Sequence, residues 1–101
     1  MDLHALTDQI EEISRLYSKK FGIHRDPDWY ILKLQEELGE LIQSYLMMVG
    51  KGRSKGLSEA ELKKNFHREV ADVFCHTLLL AKAHGVDLKT EIDEKWLSWS
   101  K

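Results

Sequence analysis

With 101 residues, 43% apolar and 32% charged, the chain has the length of one small domain, residues 1–101, and the composition of a soluble globular one. A formal net charge of -2 offers no basic field for a nucleic-acid polymer or an anionic membrane surface. Cys75 is the single cysteine, which excludes an internal disulfide and fits a reducing cytoplasm. No apolar run nears the ~20 residues of a membrane span, and the N-terminus carries no charged-then-apolar leader pattern.

A single proline and no alternating strand pattern predict an all-α fold. The first helix is expected from about Asp2 to Phe21, where Leu3, Leu6, Ile10, Ile13 and Tyr17 recur at spacings of three and four. Lys19 and Lys20 suit its last turn and Gly22 the position after it. Asp26 followed by Pro27 reads as the cap and first residue of a second helix that ends near Val49 and Gly50.

Within that second helix, three carboxylates fall in five residues: Glu36, Glu37 and Glu40. At about 100° per residue, Ile31, Leu34, Leu41, Ile42 and Tyr45 cluster within about 60° of Leu38, which is the expected centre of the buried stripe. Glu37 then lies on the shoulder of the stripe, Glu40 one turn along beside it, and Glu36 points away. Two like charges at that spacing repel, so something else must answer them.

Gly50-Lys51-Gly52-Arg53-Ser54-Lys55-Gly56 is a flexible loop with three positive charges. It reads as a solvated connection or as a basic lid over an anionic ligand, and its glycine spacing is not that of a P-loop. Ser58-Glu59-Ala60-Glu61 is a capping box that opens a third helix running to about His84. Around Val73, residues Leu62, Phe66, Val70, Thr77 and Leu80 share an apolar face. Glu69 falls inside that sector, and Asp72 lies at its edge with Asn65 and His76 on its side. Asp87 should cap a short fourth helix carrying Leu88, Ile92, Trp96 and Trp99.

Short connections would set helices two and three antiparallel, each carrying an acidic pair at i,i+3. An unpaired carboxylate in a core-facing sector costs several kcal/mol, and the second acidic pair removes the option of a salt bridge to the first. Four facing carboxylates therefore call for cations, and oxygen-only ligands suit hard divalent ions such as Mg²⁺ or Mn²⁺. A solvated acidic face is the plain alternative, and it accounts for Glu36 but not for Glu69. A carboxylate-bridged di-iron bundle needs Glu-x-x-His, and no histidine here has a glutamate three residues before it. His76 reads as a wall residue of the site and Cys75 as inert. Trp29, Trp96 and Trp99 have faces on which a base stacks, although in a small bundle tryptophan is more often core or interface.

Glu36-Glu37-x-x-Glu40, 28 intervening residues and then Glu69-x-x-Asp72 resemble the signature of the all-α, MazG-like nucleoside triphosphate pyrophosphohydrolases. The similarity runs from about Lys33 to Trp96 and includes the turn Gly85-Val86-Asp87-Leu88. It implies a four-helix bundle with an antiparallel central pair that cleaves the α–β phosphoanhydride of a nucleoside triphosphate, releasing a monophosphate and pyrophosphate. Glu37, Glu40, Glu69 and Asp72 would hold Mg²⁺, with Glu36 supporting the site or orienting water. Lys95 would meet phosphates, while Trp29, Lys33 and His76 line the substrate. The resemblance also implies a homodimer or homotetramer, with a nucleotide pocket built at the subunit boundary. Phosphoribosyl-ATP pyrophosphatase is a close relative, and Glu69 to Leu80 is similar to it too. From a different class, a non-catalytic helical module would use the acidic face to bind a basic partner.

Overall fold

A computed structural model describes residues 2–100. Four α-helices follow one another, α1 (Leu3–Phe21), α2 (Trp29–Met48), α3 (Glu59–Ala83) and α4 (Leu88–Lys95), and a 3-10 helix closes the chain at Leu97–Ser100. No strand occurs among the described residues, and no helix is long and apolar enough to cross a membrane.

Local chemistry sets the helix starts. The Asp2 carboxylate accepts from the amides of His4 (2.9 Å) and Ala5 (3.2 Å), and Asp87 accepts from Thr90 (3.2 Å). Ser58 and Glu61 form the expected reciprocal capping box, at 3.1 and 3.2 Å. Asp26 is not the N-cap of α2 that was expected: Asp28 holds that position without a side-chain cap bond, and the Asp26 carboxylate accepts from the amides of Asp28 and Trp29. Residues 26–28 are thereby held in a turn, and α2 begins two residues later than Pro27. At the other end of α3, Gly85 adopts a φ of +69°, the left-handed conformation that lets Val86 donate back to the Ala81 carbonyl at 2.8 Å. The expected fourth helix is shorter than its apolar pattern: α4 stops at Lys95, and Trp99 falls in the 3-10 helix beyond it.

α2 and α3 form an antiparallel hairpin. Tyr45 packs near Phe66, Trp29 near His76 and Tyr30 near His84, so positions rise along one helix as they fall along the other. α1 lies mainly against α3, tied at its start by Lys82 to Asp8 at 2.9 Å. The link between α1 and α2 is fastened by Arg25, which reaches back to both oxygens of Glu11 (2.7 and 2.9 Å) and to Ser14 (3.2 Å). That half-buried, two-pronged pair holds the approach to α2 more firmly than a surface ion pair would.

The intrachain core is small. Leu62, Leu78, Leu79 and Ala81 are its buried apolar members, all on α3. On α2 the buried positions are Glu37 and Ser44, while Leu38 is 46% exposed and Ile31, Ile42 and Tyr45 are similarly open. The stripe centred on Leu38 is thus not what α2 turns toward α3. The contacting side is rotated by about one residue, roughly 100°, onto Glu37. On α3 the same correction applies to Val70, which is exposed, whereas Leu62 is buried as its pattern requires. The radius of gyration is 16.1 Å, against about 13 Å for a compact domain of this length. This is a flat arrangement, with much of its apolar surface uncovered.

Candidate active site

Rotating Glu37 inward carries the acidic pair of α2 onto α3. One carboxylate oxygen each of Glu37, Glu40 and Glu69 lies within 4.8 Å of the other two. Glu37 is buried, Glu69 half-buried and Glu40 open to solvent. The Oε2 of Glu69 is itself buried and has no hydrogen-bond partner. An orphaned carboxylate oxygen is costly, and a hard cation held by all three groups would satisfy it.

The remaining sequence-predicted residues are distributed around that group. Lys33 stands 3.5 Å from Glu37 and 3.4 Å from Glu36. Glu36 itself points outward and meets Lys33 rather than the other carboxylates. The Nε2 of His76 lies 3.8 Å from Glu37, and Trp29 tilts over the His76 ring with centroids 6.2 Å apart. Asp72 is exposed, one turn past Glu69, and stands outside the group of three. Lys95, on α4, takes part in no ion pair or hydrogen bond to these residues. Trp96 and Trp99 are exposed at the end of the chain. Cys75 is half-buried, and burial followed by the charge of Asp72 pushes its thiol up, which keeps it inert.

Sequence reasoning missed a recess of about 390 Å³ that opens directly off Glu40 and Glu69. Its other walls are Gln43, Ser44, Met47, Lys55, Leu62 and Asn65. A signal for it was present: Gln43 follows Glu40 by three residues and Asn65 precedes Glu69 by four, so each extends an acidic face by one turn.

The charges act on one another. Glu40 is pushed above the ordinary glutamate value, chiefly by the charge of Glu37 beside it. Burial raises Glu69, and the charges of Asp72 and Glu40 add to it. Desolvation works against the charge on Lys33, but Glu36 and Glu37 hold it above its usual value. His76 is lowered by burial and then by Lys33, which leaves a neutral ring at neutral pH.

These directions have a consequence for stability. A carboxyl whose pKa is raised in the fold binds its proton more tightly there than in the unfolded chain. Its stabilising contribution is full below the unfolded value of about 4.3 and is lost as pH rises through the folded value. In the metal-free protein, Glu40 and Glu69 are therefore expected to lower the melting temperature progressively above about pH 4.3. Mg²⁺ competes with those protons, so it should raise Tm more at about pH 8 than at about pH 5. Thermal scans with and without Mg²⁺ check this, and the pH dependence should shrink in Glu40→Gln.

Carboxylates that converge between two antiparallel helices offer an all-oxygen ligand set of the kind that suits a hard cation. The sequence profile of the phosphoribosyl-ATP pyrophosphohydrolase family matches residues 4–94, and the chain belongs to that family. The family lies within the MazG-like all-α nucleoside triphosphate pyrophosphohydrolases, and membership indicates an activity of the pyrophosphohydrolase type, a hydrolase acting on acid anhydrides. No curated protein and no solved structure gives a significant match.

Proposed function

We propose that this chain is a divalent-metal-dependent pyrophosphohydrolase that cleaves the α–β phosphoanhydride of a nucleoside triphosphate, giving a monophosphate and pyrophosphate. The observation that carries the reading is the carboxylate of Glu69, which meets those of Glu37 and Glu40 and keeps one oxygen buried without a partner. A surface for a basic protein partner would have no use for a carboxylate oxygen turned away from solvent.

Glu37, Glu40 and Glu69 hold the ion, with Asp72 adding negative charge one turn away. Mg²⁺, or Mn²⁺ in its place, supplies Lewis-acid stabilisation of phosphate charge and a lowered pKa for attacking water. Glu36 acts by holding Lys33, and Lys33 stands ready to exchange a carboxylate for a phosphate oxygen. His76 stands 3.8 Å from the same Glu37 oxygen that Lys33 faces, and Trp29 beside it offers a ring for a base. Lys95 of α4, which meets none of these residues within its own chain, would reach phosphate only from a neighbouring chain of an oligomer.

The family match favours a second substrate of the same chemistry, phosphoribosyl-ATP, whose triphosphate carries the same α–β bond. Pyrophosphate release should be followed with phosphoribosyl-ATP and with the standard ribo- and deoxyribonucleoside triphosphates, each with and without Mg²⁺. Release that depends on the ion and is strongest for one of them is the expected result. No release from any triphosphate with Mg²⁺ or Mn²⁺ would overturn the reading.

A further inference from the structure

Resting on that reading, we propose that Lys55 grips the polyphosphate tail of the substrate and so sets its direction in the site, with the tail toward the α2–α3 loop and the base toward Trp29 and His76. The recess that opens off Glu40 and Glu69 runs away from Lys33 and His76, toward the end of α2 and the start of α3. A group held at those carboxylates through a cation meets protein in two directions, toward Trp29 and His76 or into this recess. Lys55 is the one cation in the wall of the recess. Among the described residues it makes no ion pair, whereas Lys33, at the opposite end of the acidic group, already faces Glu36 and Glu37.

The backbone gives a second argument. Lys55 has a φ of +54° and is the one non-glycine residue with positive φ among the described residues. Gly56 follows it at +79°. Glycine would adopt the Lys55 conformation at lower cost, so the fold of the loop does not account for a lysine there. Its charge does have a use. Once a divalent ion neutralises the carboxylates, a free ammonium beside Glu40 and Glu69 faces whatever anion that ion carries. Lysine suits this task as a compact point charge on a flexible stem. The flat Trp29–His76 end offers stacking surface, which suits a base.

The test compares wild type, Lys55→Gly and Lys55→Arg by thermal scanning without metal and by calorimetric titration with Mg²⁺ alone and with magnesium pyrophosphate. Pyrophosphate serves because it carries the tail and no base. Lys55→Gly is expected to melt at the same temperature as wild type or higher and to bind Mg²⁺ alone equally or more tightly. It should bind magnesium pyrophosphate about tenfold or more weakly, and Lys55→Arg should recover most of that loss. If Lys55 were only a counter-charge for the carboxylates, Lys55→Gly would bind magnesium pyrophosphate as well as wild type or better, and the proposal would fall while the metal site stood. Wild type that binds no Mg²⁺ at all would overturn the underlying reading as well.

Discussion

Glu69→Gln is expected to abolish metal-dependent pyrophosphate release while making the metal-free protein more stable. The two effects have one cause. In the absence of an ion, Glu69 keeps an oxygen buried without a partner, next to Glu40 and one turn from Asp72. A neutral amide of the same shape removes the like-charge repulsion and brings a donor that a neighbouring carboxylate can accept. Relief of about 1 kcal/mol, the low end of the penalty for an unsatisfied buried group, raises Tm by about 4–8 °C in a domain of this size. The loss of activity should reach about a hundredfold or more, since the amide is a far poorer ligand for a hard cation. Asp72→Ala should also lose activity, whereas Glu36→Ala should be milder because its carboxylate points outward to Lys33. Scanning calorimetry and a pyrophosphate assay on the same preparation give both readouts. A fully active Glu69→Gln would remove Glu69 from the metal site. A destabilised but metal-responsive one would mean that its carboxylate is satisfied by the protein alone.

Light scattering at micromolar concentration is expected to give a dimer or a larger closed assembly, and Leu38→Glu to reduce it to a monomer. The accessible surface of the chain is 7863 Å², where a monomeric protein of 11.8 kDa typically has about 5,900 Å². The excess, roughly 2,000 Å², is comparable to what one chain hides in an obligate assembly. Its chemistry agrees with its size. Ile31, Leu38, Ile42 and Tyr45 stand open on one face of α2 over about 21 Å of helix. Ile13, Leu16, Tyr17 and Phe21 on α1 are open as well. Apolar faces of this extent mark contacts, and two-fold closure is the commonest way to bury them. A charge at Leu38, in the middle of the α2 face, should cost several kcal/mol in the assembly and little in the isolated chain. A clean monomer of 11.8 kDa that hydrolyses nucleotides would remove both the assembly and any contribution of Lys95 from a neighbouring chain.

Glu69 of α3 meets the inward side of α2 and Leu38 stands on its outward side, and the two faces differ in how far the sequence could assign them. The helices, the capping by Ser58 and Asp87, and the acidic pairs at i,i+3 were legible because each depends on residues within one or two turns. The placement of Glu69 among apolar neighbours was legible for the same reason, since a helical repeat fixes angles between side chains. The repeat does not say what covers each angle. On α2 the apolar stripe was assigned to the intrachain core, yet α3 receives the side with Glu37 and Ser44, and Leu38 is left open. A stripe that serves another chain has the same periodicity as one that serves its own, so only the packed hairpin distinguishes them. The recess walled by Lys55, Gln43 and Asn65 likewise arises only when the loop folds back between two helices, at a φ of +54° that no local rule assigns to a lysine.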